Sequence, residues 1–356
     1  KSVADRLEKT FVIERLTDDV AFDLLTHGMD NLSLDQTQKL RVISKKFKGW
    51  PLIIDLANGV FKQRYEFEED GIELAISTYD NFLSSDEIDG WDVTEAGDQA
   101  IEKRRKLVGL CIEAGLDAID ASNHPELLRD LGVFPDDTEI PFYVIIDLWK
   151  HHNRISVSRQ KAETLLWHFN DFSFFSSFRN TGNLKTSTLR LHDEILLYFR
   201  LQNGSKFTEC HRRLLLSIKK HCSGEDWGSL DATHRYGWTN ALHHLEQAGL
   251  EEQAENLRTN FKWLKGKLYA VGVSELQNSF SSNRPLSMEA KMLYRAVNRS
   301  GPILGSRPSV LAHHIYGRLG HYSYGRLGDI VAVAEADVHF WPIPLPRSIW
   351  WSVIPL

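Results

Sequence analysis

Between residues 172 and 191 the chain changes period. "FSFFSSF" (172–178) and "LKTSTLRL" (184–191) alternate apolar and polar positions, and residues 180–183 between them carry turn chemistry. The pair reads as a β-hairpin, because successive side chains of a strand point to opposite faces. Elsewhere the apolar residues recur every three or four positions, the signature of one buried face of a helix. A single hairpin in a helical chain leaves few architectures, and what precedes it narrows them. "SNHPELLRDLGVF" reads as a helix, Asp136-Asp137 as a tight acidic turn, and new helices start near Pro141 and at residue 158. Three helices followed by a hairpin is the order of a winged helix.

The segments on either side are helical. Residues 17–28 read as a helix capped by Thr17, with Asp18 and Asp19 at the positive end of its dipole and Gly28 as its stop. Residues 35–48 bring Leu40, Ile43 and Phe47 to one face and end at Gly49. Pro51 then suits the first turn of another helix, where a missing N–H costs nothing. A polar acidic stretch over 66–100 holds moderate helix signals and breakers such as Asp89-Gly90, and "IEKRRKLVGLCIEAGL" (101–116) is helical. Beyond 206, "HRRLLLSIKKH", "WTNALHHLEQAGL", "EEQAENLRTNFKWLKGKL" and "MEAKMLYRAV" show helical spacing and suggest an antiparallel array without a fixed repeat. "YGRLG" occurs at 316–320 and again at 324–328, which reads as a local duplication. The tail, rich in Pro and Trp, cannot be one regular element.

The fold expected is therefore mainly α. A remnant of a preceding domain occupies 1–16, a helical subdomain 17–100, a winged-helix domain with a small β-hairpin wing 101–205, an α-helical arm 206–335, and a linker or tail 336–356.

Composition limits what such a chain does. The 356 residues are 42% hydrophobic and 25% charged, with a net charge of −6. That is ordinary globular composition and argues against a strongly nucleic-acid-binding surface. No run approaches the ~18 apolar residues of a membrane span, and no signal peptide is read. Three scattered cysteines make no disulfide framework and fit reduced thiols in a cytoplasm. The first residue is Lys1 rather than Met, so a fragment is expected.

Few residues carry chemistry. Ser, His and Asp are present, but nothing orders them into a triad. Cys210-His211 and His221-Cys222 hold zinc-ligand types at a spacing that matches no finger or ribbon. The adjacent pairs His151-His152, His243-His244 and His313-His314 do not each face one site, since neighbours on a helix diverge. "EKRRK" (102–106) reads as a solvated face and Cys111 as a buried small residue. His192-Asp193, leaving the second strand, reads locally as a helix start with Asp193 as N-cap.

Four stretches in order nevertheless carry a resemblance: "LTDDVAFDLL", "GWPLIIDLANG", "LLRDLGVFPDDTEIPFYVIIDLW" and "LRLHDEILLYF". Together they resemble the back half of an NB-ARC module, the nucleotide switch of the STAND family, over roughly residues 10–275. The family's Gly-Leu-Pro-Leu is Gly49-Trp50-Pro51-Leu52 here, and its Met-His-Asp is Leu191-His192-Asp193. "YGWTNALHHLEQAG" through "FKWLKGKL" resembles the helical segment that follows in bacterial members of the apoptotic protease-activating-factor type.

The resemblance implies ADP or ATP as ligand, with Mg in the intact protein. Pro51, after Gly49, would pack on the adenine. His192 would reach the β-phosphate, and Asp193 would support the corner. The family's Gly-x-x-x-x-Gly-Lys-Ser/Thr loop does not occur in this chain, and its acidic Mg-binding strand is not recognisable. Both are expected in a P-loop domain in cis before Lys1, so the fragment itself holds no nucleotide tightly, and the parent would be at most a slow NTPase. A C-terminal WD-repeat sensor and homo-oligomerisation on activation are also implied, with no membrane and no nucleic acid as partner. Two other readings stay open. One is a winged-helix DNA-binding regulator, although residues 158–170 set Glu163 and four large apolar residues beside Arg159 and Lys161. The other is a helical interaction scaffold without nucleotide binding.

Overall fold

The computed structural model describes residues 15–67, 71–85, 97–119, 124–152, 155–282 and 284–339. The remnant expected over 1–16, the turn at Asp89-Gly90 and the tail lie wholly or largely outside these residues. The described chain is mainly α with one small antiparallel sheet. It divides into two compact units, residues 1–142 with 155–204, and residues 143–154 with 205–356.

The first unit begins with α1 (Asp18–Leu25), α2 (Leu34–Lys46), α3 (Pro51–Phe67), α4 (Gly71–Leu83) and α5 (Asp98–Ala118). Local chemistry sets their ends. The Thr17 hydroxyl accepts from the Val20 N–H. Ser33 and Gln36 close a capping box, with Gln36 N–H donating to Ser33 Oγ at 3.1 Å and Ser33 N–H to Gln36 Oε1 at 2.9 Å. Leu40, Ile43 and Phe47 are fully buried, and Tyr79 of α4 packs its ring against Phe47 and Phe61. The basic run 102–106 on α5 is half-buried at Lys103, Arg104 and Arg105 rather than wholly solvated.

A 3-10 helix (Pro125–Val133) follows, then β1 (Ile140–Pro141), α7 (Arg159–Asp171), β2 (Phe175–Arg179), β3 (Thr188–Leu191) and α8 (Asp193–Asn203); the intervening α6 (Phe142–Lys150) starts at the unit boundary. The sheet order is β1-β3-β2, so the hairpin carries a third strand that periodicity did not show. Two residues are too few to display a period of two; Ile140 and Pro141 become a strand only by pairing with Leu189 and Thr188. A bulge between Phe175 and Ser177 shifts the hairpin register. Leu189 and Leu191 point into the core while Thr188 and Arg190 stay half-exposed. Arg200 on α8 ties the 3-10 helix in place, donating from Nε to the Gly132 carbonyl and from Nη2 to the Phe134 carbonyl.

The second unit contains the body of α6, then α9 (Phe207–Lys219), α10 (Arg235–Gln247), α11 (Glu251–Arg258), α12 (Phe261–Val271), α13 (Val273–Asn278), α14 (Met288–Ser306), α15 (Leu311–Leu319) and α16 (Gly325–His339). The run "EEQAENLRTNFKWLKGKL" is two helices, because the Asn260 side chain accepts from Trp263 N–H and restarts the chain as α12. Trp238 and Trp263 stack at 4.6 Å in its core. The duplicated YGRLG ends α15 in its first copy and opens α16 in its second.

Candidate functional site

The residues singled out from sequence lie at two places in the first unit, and α3 links them. Gly49 has φ of +67°, a left-handed conformation that stops the preceding helix. Its carbonyl accepts from Leu16 N–H at 3.2 Å, and a Cβ at this position would sit 2.4 Å from the Leu16 carbonyl oxygen. Strain and space both exclude a side chain there. Pro51 opens α3 and is exposed.

From Pro51, one face of α3 runs through Asp55, Gly59 and Lys62, positions four, eight and eleven residues on. That face meets the base of the β2–β3 hairpin. A Cβ on Gly59 would lie 2.7 Å from the Phe172 Cα, so only glycine permits this approach. The Lys62 charge is felt by Asp171, whose carboxyl burial pushes up and His168 and Lys62 pull back down. Where β3 leaves the hairpin, the Asp55 carboxylate acts on His192.

His192 is the N-cap of α8 and Asp193 is the first helical residue, the reverse of the local expectation. The reason is backbone geometry. His192 is extended, at φ −72° and ψ 144°, and its carbonyl already accepts from Ile195 and Leu196 N–H at 3.0 Å each. Its imidazole does not cap the helix. Asp193 is exposed and serves the positive end of the α8 dipole. Burial holds the His192 ring below the usual histidine range, with Asp55 and then Asp193 opposing the shift. At neutral pH the ring is a neutral imidazole with one N–H to give and one lone pair. His192 thus lies within electrostatic reach of Asp55, which sequence did not single out and which stands one turn on from Pro51 in α3.

The second unit holds a set of histidines that pair across helices rather than along them. His211 of α9 and His244 of α10 meet Nδ1 to Nδ1 at 2.9 Å, and His244 Nε2 meets the Tyr236 hydroxyl at 2.8 Å. Burial holds the His244 ring well below its ordinary value, with His211 and His243 adding to the shift. His211 sits at helical spacing from Leu214, Leu215 and Ile218, and His244 beside Leu245; an imidazole on an apolar stripe was the signal available. Nearby, the Gly237 N–H donates to His234 Nδ1 at 3.0 Å, and His221 Nε2 lies 3.1 Å from Asp147 Oδ2. No three His, Cys, Asp or Glu side chains among the described residues are grouped to hold a metal ion. No described helix is long and apolar enough to cross a membrane.

Comparison with known proteins bears mainly on this second unit. Residues 207–296, from the start of α9 into α14, match the family described as the APAF-1 helical domain. The chain carries an APAF-1-like helical region. It is also 24% identical over 268 residues to apoptotic protease-activating factor 1 of Danio rerio. That match covers 74% of this chain and 19% of the relative, so the chain spans about a fifth of the curated relative's length.

Proposed function

We propose that the chain is the regulatory part of a STAND-type nucleotide-dependent switch, in which the first unit closes over ADP in the intact protein. The observation that carries the reading is that Asp55, one turn on from Pro51 in α3, acts electrostatically on His192 where β3 passes into α8. The 24% identity to apoptotic protease-activating factor 1 extends over 268 residues, well beyond the 90 or so of the helical-domain match, and supports reading more than the helical domain in that context.

The residues present fit the expected roles. An exposed proline ring at a helix start offers an apolar, donor-free face to a purine. An imidazole that caps nothing has an N–H for a phosphate oxygen, and the Asp55 charge favours its protonated form. A charge-assisted bond of ~1.5–3 kcal/mol is the size of bias that shifts a two-state domain closure. In this reading residues 101–205 are a winged helix that swings away when ATP replaces ADP, and the helices of 206–335 are the arm towards a WD-repeat sensor. Opening exposes surfaces for homo-oligomerisation in the cytoplasm. The phosphate loop and Mg site belong to a P-loop domain in cis.

In the full-length protein, His192→Ala should speed ADP release by about tenfold or more, the equivalent of one such bond. It should also raise the assembled fraction seen by size-exclusion chromatography with light scattering. Unchanged ADP release together with unchanged assembly refutes the switch role.

A further inference from the structure

The loop between α13 and α14 hangs on carboxylates. Ser282 Oγ donates to Glu246 Oε1 at 2.7 Å, Arg284 pairs with Glu251, and Ser287 Oγ donates to Glu255. The acceptors belong to α10 and α11 or to the turn joining them at the start of α11, so three consecutive side-chain contacts fasten the loop to that helix pair. Beside them is an open cleft of about 420 Å³ lined by four glutamates and by Arg258, Arg284 and Arg326. Arg258 is buried and committed, pairing with Glu246, lying 3.6 Å from Glu255 and donating from Nε to the Ser279 carbonyl.

Ser287 does two jobs at once. Its Oγ accepts from the Ala290 N–H at 3.0 Å as N-cap of α14, and its proton goes to Glu255. A phosphoserine here would keep the first job and lose the second. Phosphate oxygens still accept from helix N–H groups, and a dianion suits the positive end of the dipole. The proton that bonded Glu255 is gone, and about −1.5 to −2 of charge stands against that carboxylate. The cleft already has one more carboxylate than guanidinium.

The sequence around Ser287 is Arg284-Pro285-Leu286-Ser287. An arginine three residues before a serine is a charge pattern that basophilic kinases read through an acidic patch of their own. The chain has one other such spacing, Arg41 to Ser44, and Ser44 is 1% exposed inside α2. At Ser287 the flanking positions are open: Arg284 and Pro285 are exposed, and so is Met288, the residue that follows. From this we infer that Ser287 is a phosphorylation site whose modification unfastens the α13–α14 loop from α10 and α11 while leaving α14 capped. In the transfer, Ser287 Oγ forms a bond to the γ-phosphorus of a nucleoside triphosphate. The bond from that phosphorus to the β,γ-bridging oxygen breaks, the nucleoside diphosphate leaves, and the hydroxyl proton passes to the kinase base.

The test uses the whole chain with calmodulin-dependent protein kinase II, Mg-ATP and, in parallel, a peptide of residues 280–292. Intact mass and peptide mapping should place one phosphate on Ser287 in the folded chain. Arg284→Ala should slow incorporation about tenfold, as for loss of one charge-assisted contact, even though it also frees Glu251. Amide hydrogen exchange over 279–290 should rise after phosphorylation while α9 and α14 beyond its first turn stay protected. Ser287→Asp should reproduce the loosening, and Ser287→Ala should loosen the loop and fray the start of α14 as well. Modification of the peptide but not of the folded chain overturns the proposal, as does modification of neither. So does phosphate on Ser287 with unchanged exchange in the loop.

Discussion

Among the described residues two α-helices, α8 and α10, start on a histidine, and the two histidines are used in opposite ways. At the start of α10, the His234 ring is 4% exposed and its Nδ1 accepts the Gly237 N–H. At the start of α8, His192 is half-buried and its ring caps nothing. A ring nitrogen can cap a helix only while it holds a lone pair, so His234 is committed to the neutral state by its bond. Burial, and then the neighbouring His221, push it down to about 4, against opposing pulls from Asp147 and Asp231. His192 is also held below the normal range, but its nitrogens are not spent on its own helix. The first imidazole caps its own helix and the second does not; a shared position at a helix start does not separate them.

The largest effect that sharpens this contrast is His234→Ala. It removes a cap and a buried ring, and should cost about 2 kcal/mol of stability at neutral pH, read as a lowered denaturant midpoint for the second unit. His192→Ala should leave that midpoint unmoved; equal losses in both variants would break the comparison.

The next effect is acid lability. With a folded pKa of about 4 and an unfolded one near 6.5, the unfolded chain binds the extra proton in between, so stability rises with pH across that window. His234 contributes fully above about pH 6.5, and its contribution is lost as the pH falls to about 4. His244 acts in the same direction. His234→Asn supplies a cap that no proton can remove, so its stability should fall less steeply between pH 6.5 and 4.5. A slope identical to that of the unmodified chain would show that His234 is not the titrating group.

The smallest effect is at the other helix. Asp193→Ala should cost about 0.3–1 kcal/mol through the α8 dipole, because Asp193 is an exposed first-turn residue and not the N-cap. A loss near 2 kcal/mol would restore it as the capping side chain.

What could be read from sequence was short-range. The Thr17 cap joins residues three apart, Gly49 stops one helix and Pro51 starts the next, and the hairpin pairs strands across one short connection. The Gly49-Trp50-Pro51 and Leu191-His192-Asp193 stretches read locally as a helix stop, a helix start and a cap, and became candidates only through the family resemblance. The contacts that give those candidates their setting were not visible. Asp55 acts on His192 across 137 positions, and β1 pairs with a strand nearly fifty residues later. His211 and His244 were seen as members of other pairs, because adjacency in sequence is conspicuous and adjacency between helix faces is not.

The amino-acid sequence by itself determined that the chain is mainly helical, that Thr17 and Pro51 open helices, and that one hairpin interrupts them, since propensity, capping and period act within a turn or two of chain. Tertiary structure decided which imidazole is spent and which is free. That choice depends on burial and on partners brought in from distant segments, and neither is a property of the residues adjoining a histidine.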